Sequence, residues 1–202
     1  MRLKTLAAPI IVSLLVSGWA GAAERDSFEI SLLSRRFVPS PGLSAETRER
    51  LEATVGKVRQ KGGDRIHALL QFDRIPSPAE RAALEQTGVR LLSYLPNYAF
   101  YASLPAAEPA RAATLPSVRW LGGIADADRL SPQIRSGEFG EWAHDTASGE
   151  TVVLAKFFAD VTEDEARNFV GRNGGKALSW TRSINTASVL IHRERIAALA
   201  GA

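Results

Sequence analysis

The 202-residue chain contains no cysteine and a single methionine. Without cysteine, neither disulfides nor thiolate metal sites can hold it together, so burial and sheet pairing must suffice. Aromatic residues are sparse, at 7%. A surplus of either charge is missing too, because Arg and Glu alternate along the chain instead of gathering into the basic patch that announces nucleic-acid binding. The one extended apolar stretch, residues 6–16, contains Pro9 and is shorter than the roughly 20 residues of a bilayer span.

That stretch has another reading. Arg2 and Lys4 precede it, and Ala20-Gly21-Ala22 supplies a small-x-small cleavage site. Residues 1–22 are therefore expected to be a secretory signal, and the mature chain to be periplasmic or extracellular with no membrane attachment. Cleavage would leave 23 basic residues against 22 acidic ones, so the high isoelectric point of the precursor says little about partners. The 45% hydrophobic content supports a packed core, and the remaining length suits one or two small domains.

Hydrophobic periodicity supplies the architecture. In "RIHALLQF", residues 65–72, Ile66, Ala68, Leu70 and Phe72 share one face at period two, as in a half-buried strand. "PSPAERAALEQTG" follows as a helix, with Ser77 as N-cap, Pro78 at its first position, Glu80 closing a capping box and Gly88 as stop. "VRLLSY" and "YAFYASL" read as two strands around Leu95-Pro96-Asn97. "AEPARAATL" is a poor helix, and "SVRWLGGI" a last strand. The order strand, helix, strand, strand, helix, strand folds through right-handed crossovers into a four-stranded antiparallel sheet with one face covered by helices and the other open.

The second half repeats this order. "TVVLAKFF" is a strand, and "VTEDEARNFVGRNGG" a helix with Thr162 as N-cap, Glu165 as capping-box partner and Val161 with Ala166 as staple. "KALSWTR" and "TASVLI" surround Ser183-Ile184-Asn185, and "RERIAALA" is the second helix. Phe169 takes the sheet-facing place of Leu84. Nothing corresponds to the fourth strand. The expected class is α+β, with two ferredoxin-like (βαββαβ) modules, the second lacking its last strand. The divisions are a signal at 1–22, an arm and helix at 23–63, a first module at 64–124, a linker at 125–149 with a turn of helix near Gln133, and a second module at 150–202.

Catalytic chemistry has no visible home. His67, His144 and His192 stand in unrelated settings without the paired spacing of a zinc site, and are expected at the surface or beside strands. Asp160, Glu163, Asp164 and Glu165 lack the alternation of a calcium loop and suit a helix N-terminus. Asp145-Thr146 has no G-x-S-x-G or oxyanion element near it, and Gly122-Gly123 and Gly174-Gly175 lack nucleotide-loop spacing. No catalytic residue, metal or cofactor is expected.

"VVLAKFFADVTEDEARNFVGRNGGKALSWTRSINTASVLIHRERIAALA" resembles the propeptides of subtilisin-like serine proteases, with "GGK" leading into a strand and "SIN" at the turn. "QFDRIPSPAERAALEQTGVRLLSYLPNYAFYASLP" with "LPSVRWLGGI" resembles a fuller version of the same module, and the tandem is similar to the leaders of fervidolysin-like secreted subtilases. The resemblance implies an intramolecular chaperone and inhibitor whose sheets dock by their open faces on a subtilisin-like serine protease. Tyr98, Tyr101 and Leu190 would then be docking residues, with Phe100, Ala102 and Leu104 turned to the core. The protease's Asp, His and Ser motifs and the cleft-filling tail are absent, so binding without hydrolysis and without tight cleft inhibition is expected, from a chain that acts on a separate protease or is the leader fragment of one. A binding module of the same fold for an unrelated partner is the alternative.

Overall fold

The computed structural model describes residues 28–140, 143 and 147–201. The expected signal at 1–22 and the residues His144, Asp145 and Thr146 lie outside them.

The fold is α+β, with antiparallel sheets. The first begins with β3 (Arg65–Phe72), followed by α2 (Pro78–Gln86), β4 (Arg90–Leu95), β5 (Ala99–Pro105), a 3₁₀ turn (Pro109–Thr114) and β6 (Val118–Gly123). The strands lie in the order β4-β5-β3-β6. Ser77 caps α2 and Glu80 returns the bond to the Ser77 amide at 2.8 Å, so two otherwise orphaned amides start the helix. Ile66, Ala68, Leu70, Phe72, Phe100, Ala102, Leu104 and Leu121 form the core with Leu84 of α2 and with Leu51 and Val55 of an earlier helix, α1 (Ala45–Gln60).

The second sheet joins β7 (Glu150–Lys156), β8 (Gly175–Thr181) and β9 (Thr186–His192) in the order β7-β9-β8, with α4 (Glu163–Arg172) and α5 (Ile196–Gly201) on one side. Thr162 and Glu165 form the capping box of α4. Ala166 and Val170, four residues apart, are the buried positions of this helix, whereas Phe169 is only half-buried. Among the described residues β7 has one strand neighbour and is an edge.

Two expectations are corrected. The segment 125–149 is more than a connector: Leu130, Phe139 and Ile134 of α3 (Pro132–Ser136) pack into the second core, and Arg193 lies over the Phe139 ring at 4.6 Å. The second face of the first sheet is not open either. Along it the arm makes a small hairpin, β1 (Ile30–Ser31) with β2 (Arg36–Phe37), and Ile30 is fully buried. Leu69 and Gln71, which point away from the helices, are also fully buried. Phe37 meets Trp120 edge-on at 5.7 Å, and the indole lies across Gly122, where a Cβ would come within 2.1 Å of the ring. The arm closes this face because its backbone carbonyls satisfy side chains that a solvated face would leave to water. Gln71 donates to the Phe28 carbonyl at 3.1 Å, Asn97 to the Glu29 carbonyl at 2.7 Å, and Arg119 to the Pro39 carbonyl at 2.8 Å.

Candidate protein-docking surface

Tyr101 and Tyr98, expected on an open face, are both half-buried against other rings. Tyr101 sits opposite Leu69 on the second face of the first sheet, and its ring meets Phe158, from the loop between β7 and α4, at 5.5 Å. Burial, with the charge of Asp128, pushes its phenol pKa up. Tyr98 belongs to the turn between β4 and β5, where Asn97 and Tyr98 both have φ of +63°. Two consecutive left-handed residues make the tight reversal that matches the twist of a hairpin. The Tyr98 ring packs against Phe28 of the arm at 6.3 Å.

The loop that covers Tyr101 also carries a polar clasp between the two halves of the chain. His67 stacks on Phe158 with ring centroids 4.0 Å apart, and its Nε2 is 2.9 Å from Asp160 Oδ1. Ser103, the neighbour of His67 across the strand pair, hydrogen-bonds the same carboxylate and accepts from Arg65 Nε at 2.7 Å. Burial opposes ionisation of Asp160, but the bonds from His67 and Ser103 outweigh it and lower the pKa. An ionised carboxylate can only accept, so His67 is the donor here. The chemistry differs from a nucleophilic triad. The carboxylate lies between serine and histidine, so no imidazole base faces the hydroxyl, and Ser103 is fully buried. His67 is therefore a partly buried strand residue, and the carboxylate of Asp160 is engaged by His67 and Ser103.

A second clasp holds the arm. Asp128, whose side chain is 1% exposed, accepts from Ser34 Oγ at 2.6 Å and from Arg35 Nε and Nη2 at 2.9 and 2.8 Å. Its burial is outweighed by these donors, and its pKa falls below the usual carboxylate value.

The free surface lies elsewhere. In the second sheet Val153, Ala187, Val189 and Ile191 face the helices, so alternate residues face away. Leu154 is 73% exposed there, and half-buried Val152 and Leu190 pair directly across β7 and β9. Leu178, at the irregularity of β8, is 48% exposed. Leu190 is thus the one expected docking residue on an uncovered sheet face. Signals for the enclosed residues were faint: Phe158 is an apolar residue just beyond a strand, and Asp160 one of four neighbouring acids.

The groove between α1 and the 109–114 turn, of about 550 Å³, mixes Arg48, Arg59 and Arg111 with Glu52 and Glu108 and favours neither charge sign. Among the described residues no group of three or more His, Cys, Asp or Glu side chains could hold a metal, and no helix is long and apolar enough to cross a membrane.

A family model described as Domain of unknown function (DUF8729) matches residues 31–125, a little under half of the chain. The match takes in the arm from Ser31, α1 and the whole first sheet, which are also the parts that pack as one body. No curated protein and no solved structure matches the chain.

Proposed function

We propose that the chain is an exported, non-catalytic, subtilase propeptide-like protein that binds a subtilisin-like serine protease as a folding chaperone or inhibitor. In this reading it carries two ferredoxin-like modules, the second without its last strand. The strand orders β4-β5-β3-β6 and β7-β9-β8 agree with such a module and with one lacking its fourth strand. The observation that carries the reading is the apolar, uncovered sheet face bearing Val152, Leu154 and Leu190. Large apolar side chains on a sheet face that none of the described helices covers suit a protein partner. Because the arm and the Phe158 loop occupy the equivalent face of the first sheet, docking is assigned to the second module alone. That narrows the tyrosine and leucine sites to Leu190 and its neighbours.

The test is binding of the purified chain to the catalytic domain of a secreted subtilisin-like protease, with refolding yield of that domain as the second readout. Leu154→Asp with Leu190→Asp should weaken binding at least about tenfold, since a charge would be buried without a partner. Tyr101→Phe should leave binding unchanged. Failure to bind any such domain, or binding indifferent to both leucines, would refute the proposal.

A further inference from the structure

We infer that β7 is a homodimerisation strand, pairing antiparallel with β7 of a second copy about a two-fold axis at Val153. This interaction needs no protease and leaves the sheet face described above uncovered.

The backbone fixes which groups are free. On either side of the β7–β9 ladder, the Phe157 amide donates to the Asn185 carbonyl at 2.8 Å and the Arg193 amide to the Gly149 carbonyl at 3.1 Å. With the register Thr151↔Ile191, Val153↔Val189 and Ala155↔Ala187, the odd-numbered residues of β7 exchange bonds with β9. The even-numbered residues Glu150, Val152, Leu154 and Lys156 turn their amides and carbonyls outward. The Glu150 amide is held by Ser148 Oγ at 3.2 Å, and no strand among the described residues takes the others. An unpaired apolar edge of this kind is a template for another strand.

The sequence of this edge is complementary to itself. In "ETVVLAK", antiparallel pairing centred on Val153 places Glu150 opposite Lys156 of the second copy, and Val152 opposite its Leu154, twice each by symmetry. All four are even-numbered, so the outward-facing backbone groups meet one another as hydrogen-bonded pairs. Their side chains share the face turned away from the helices. Glu150 and Lys156 are both exposed, and neither makes an ion pair among the described residues. A shift by one residue would oppose bonded to free backbone groups, and a shift by two would lose the charge pairing. An isologous pairing of this kind closes on itself and stops at two copies, giving a six-stranded sheet in the order β8-β9-β7-β7-β9-β8.

Sedimentation equilibrium of the purified chain, with single and double charge exchanges, tests this. The unsubstituted chain should dimerise with increasing concentration. Glu150→Lys or Lys156→Glu alone sets like charges opposite at both ends and should raise the dimer dissociation constant about tenfold, and the double exchange should restore it. Register is read separately, since the chain has no cysteine of its own. Under mild oxidation Val153→Cys should form a covalent dimer, because a residue on the axis in a non-hydrogen-bonded pair meets its own copy at disulfide distance. Leu154→Cys, though far more exposed, should crosslink more slowly because its opposite residue is Val152. A chain that stays monomeric at every concentration, a double exchange that fails to restore dimerisation, or faster crosslinking at position 154 than at 153 would overturn the inference.

Discussion

The two halves share a strand and helix order, yet their opening strands sit differently, β3 in the centre of its sheet and β7 at the edge of its own among the described residues. In the first, β3 lies between two strands, and both faces of the sheet are packed, by helices on one side and by the arm with the Phe158 loop on the other. In the second, among the described residues, β7 has one strand neighbour and the face carrying Leu154 is uncovered. The difference teaches where interaction belongs. Where the second face of a sheet is packed by its own chain, as over β3, it adds to stability, while the face around Leu154 and Leu190 is the one on which the docking proposed above rests.

The sharpest break in this comparison should come from paired truncations. Phe72→Ala removes a fully buried ring from the closed half and should cost about 3–5 kcal/mol. Leu154→Ala on the bare face should change stability by no more than about 0.5 kcal/mol. Denaturant unfolding of both variants measures the contrast, and comparable losses would mean that Leu154 is covered.

Next in size is the arm. Asp128→Ala strips three side-chain donors of their acceptor and should cost about 2 kcal/mol. It should also speed tryptic cleavage after Arg35 and Arg36, while cleavage within α1 is unaffected. If the arm stays resistant, its carbonyl contacts with Gln71, Asn97 and Arg119 hold it without the ion pair.

Acid should act on both clasps. Asp128 and Asp160 have pKa values lowered in the fold, so their contribution is complete above the unfolded carboxylate value of about 3.9. It is lost as pH falls from there through the folded values. The arm and the Phe158 loop should therefore loosen below about pH 4, before the core melts. Histidine and tryptophan chemical shifts followed by NMR would report it. Asp160→Asn should cost less than Asp128→Ala, about 1 kcal/mol, and should remove the part of the acid transition seen at His67.

Much of the scaffold is legible in the sequence because its signals are local. Ile66, Ala68, Leu70 and Phe72 alternate, and Ser77 with Glu80 and Thr162 with Glu165 announce helix starts within four residues. The covered second face of the first sheet is not legible, for a physical reason. The arm is held through the carbonyls of Phe28, Glu29 and Pro39, and a carbonyl is common to every residue type. Asp160 reaches His67 from 93 positions away, and its acidic neighbours on α4 offer a sufficient local explanation for it. Tyr98 reads as the start of a strand because nothing in a tyrosine announces a left-handed backbone. Leu190 was legible as a candidate because strand alternation alone assigns its face.

The contrast between a central β3 and an edge β7 is tested most directly by residue-resolved amide exchange in solution dilute enough to exclude association. Strong protection is expected across 68–72, where β3 is paired on both sides, with alternation along β7, Val153 and Ala155 being protected and Val152 and Leu154 exchanging rapidly. Uniform protection along β7 in the dilute chain, equal to that of β3, would contradict it.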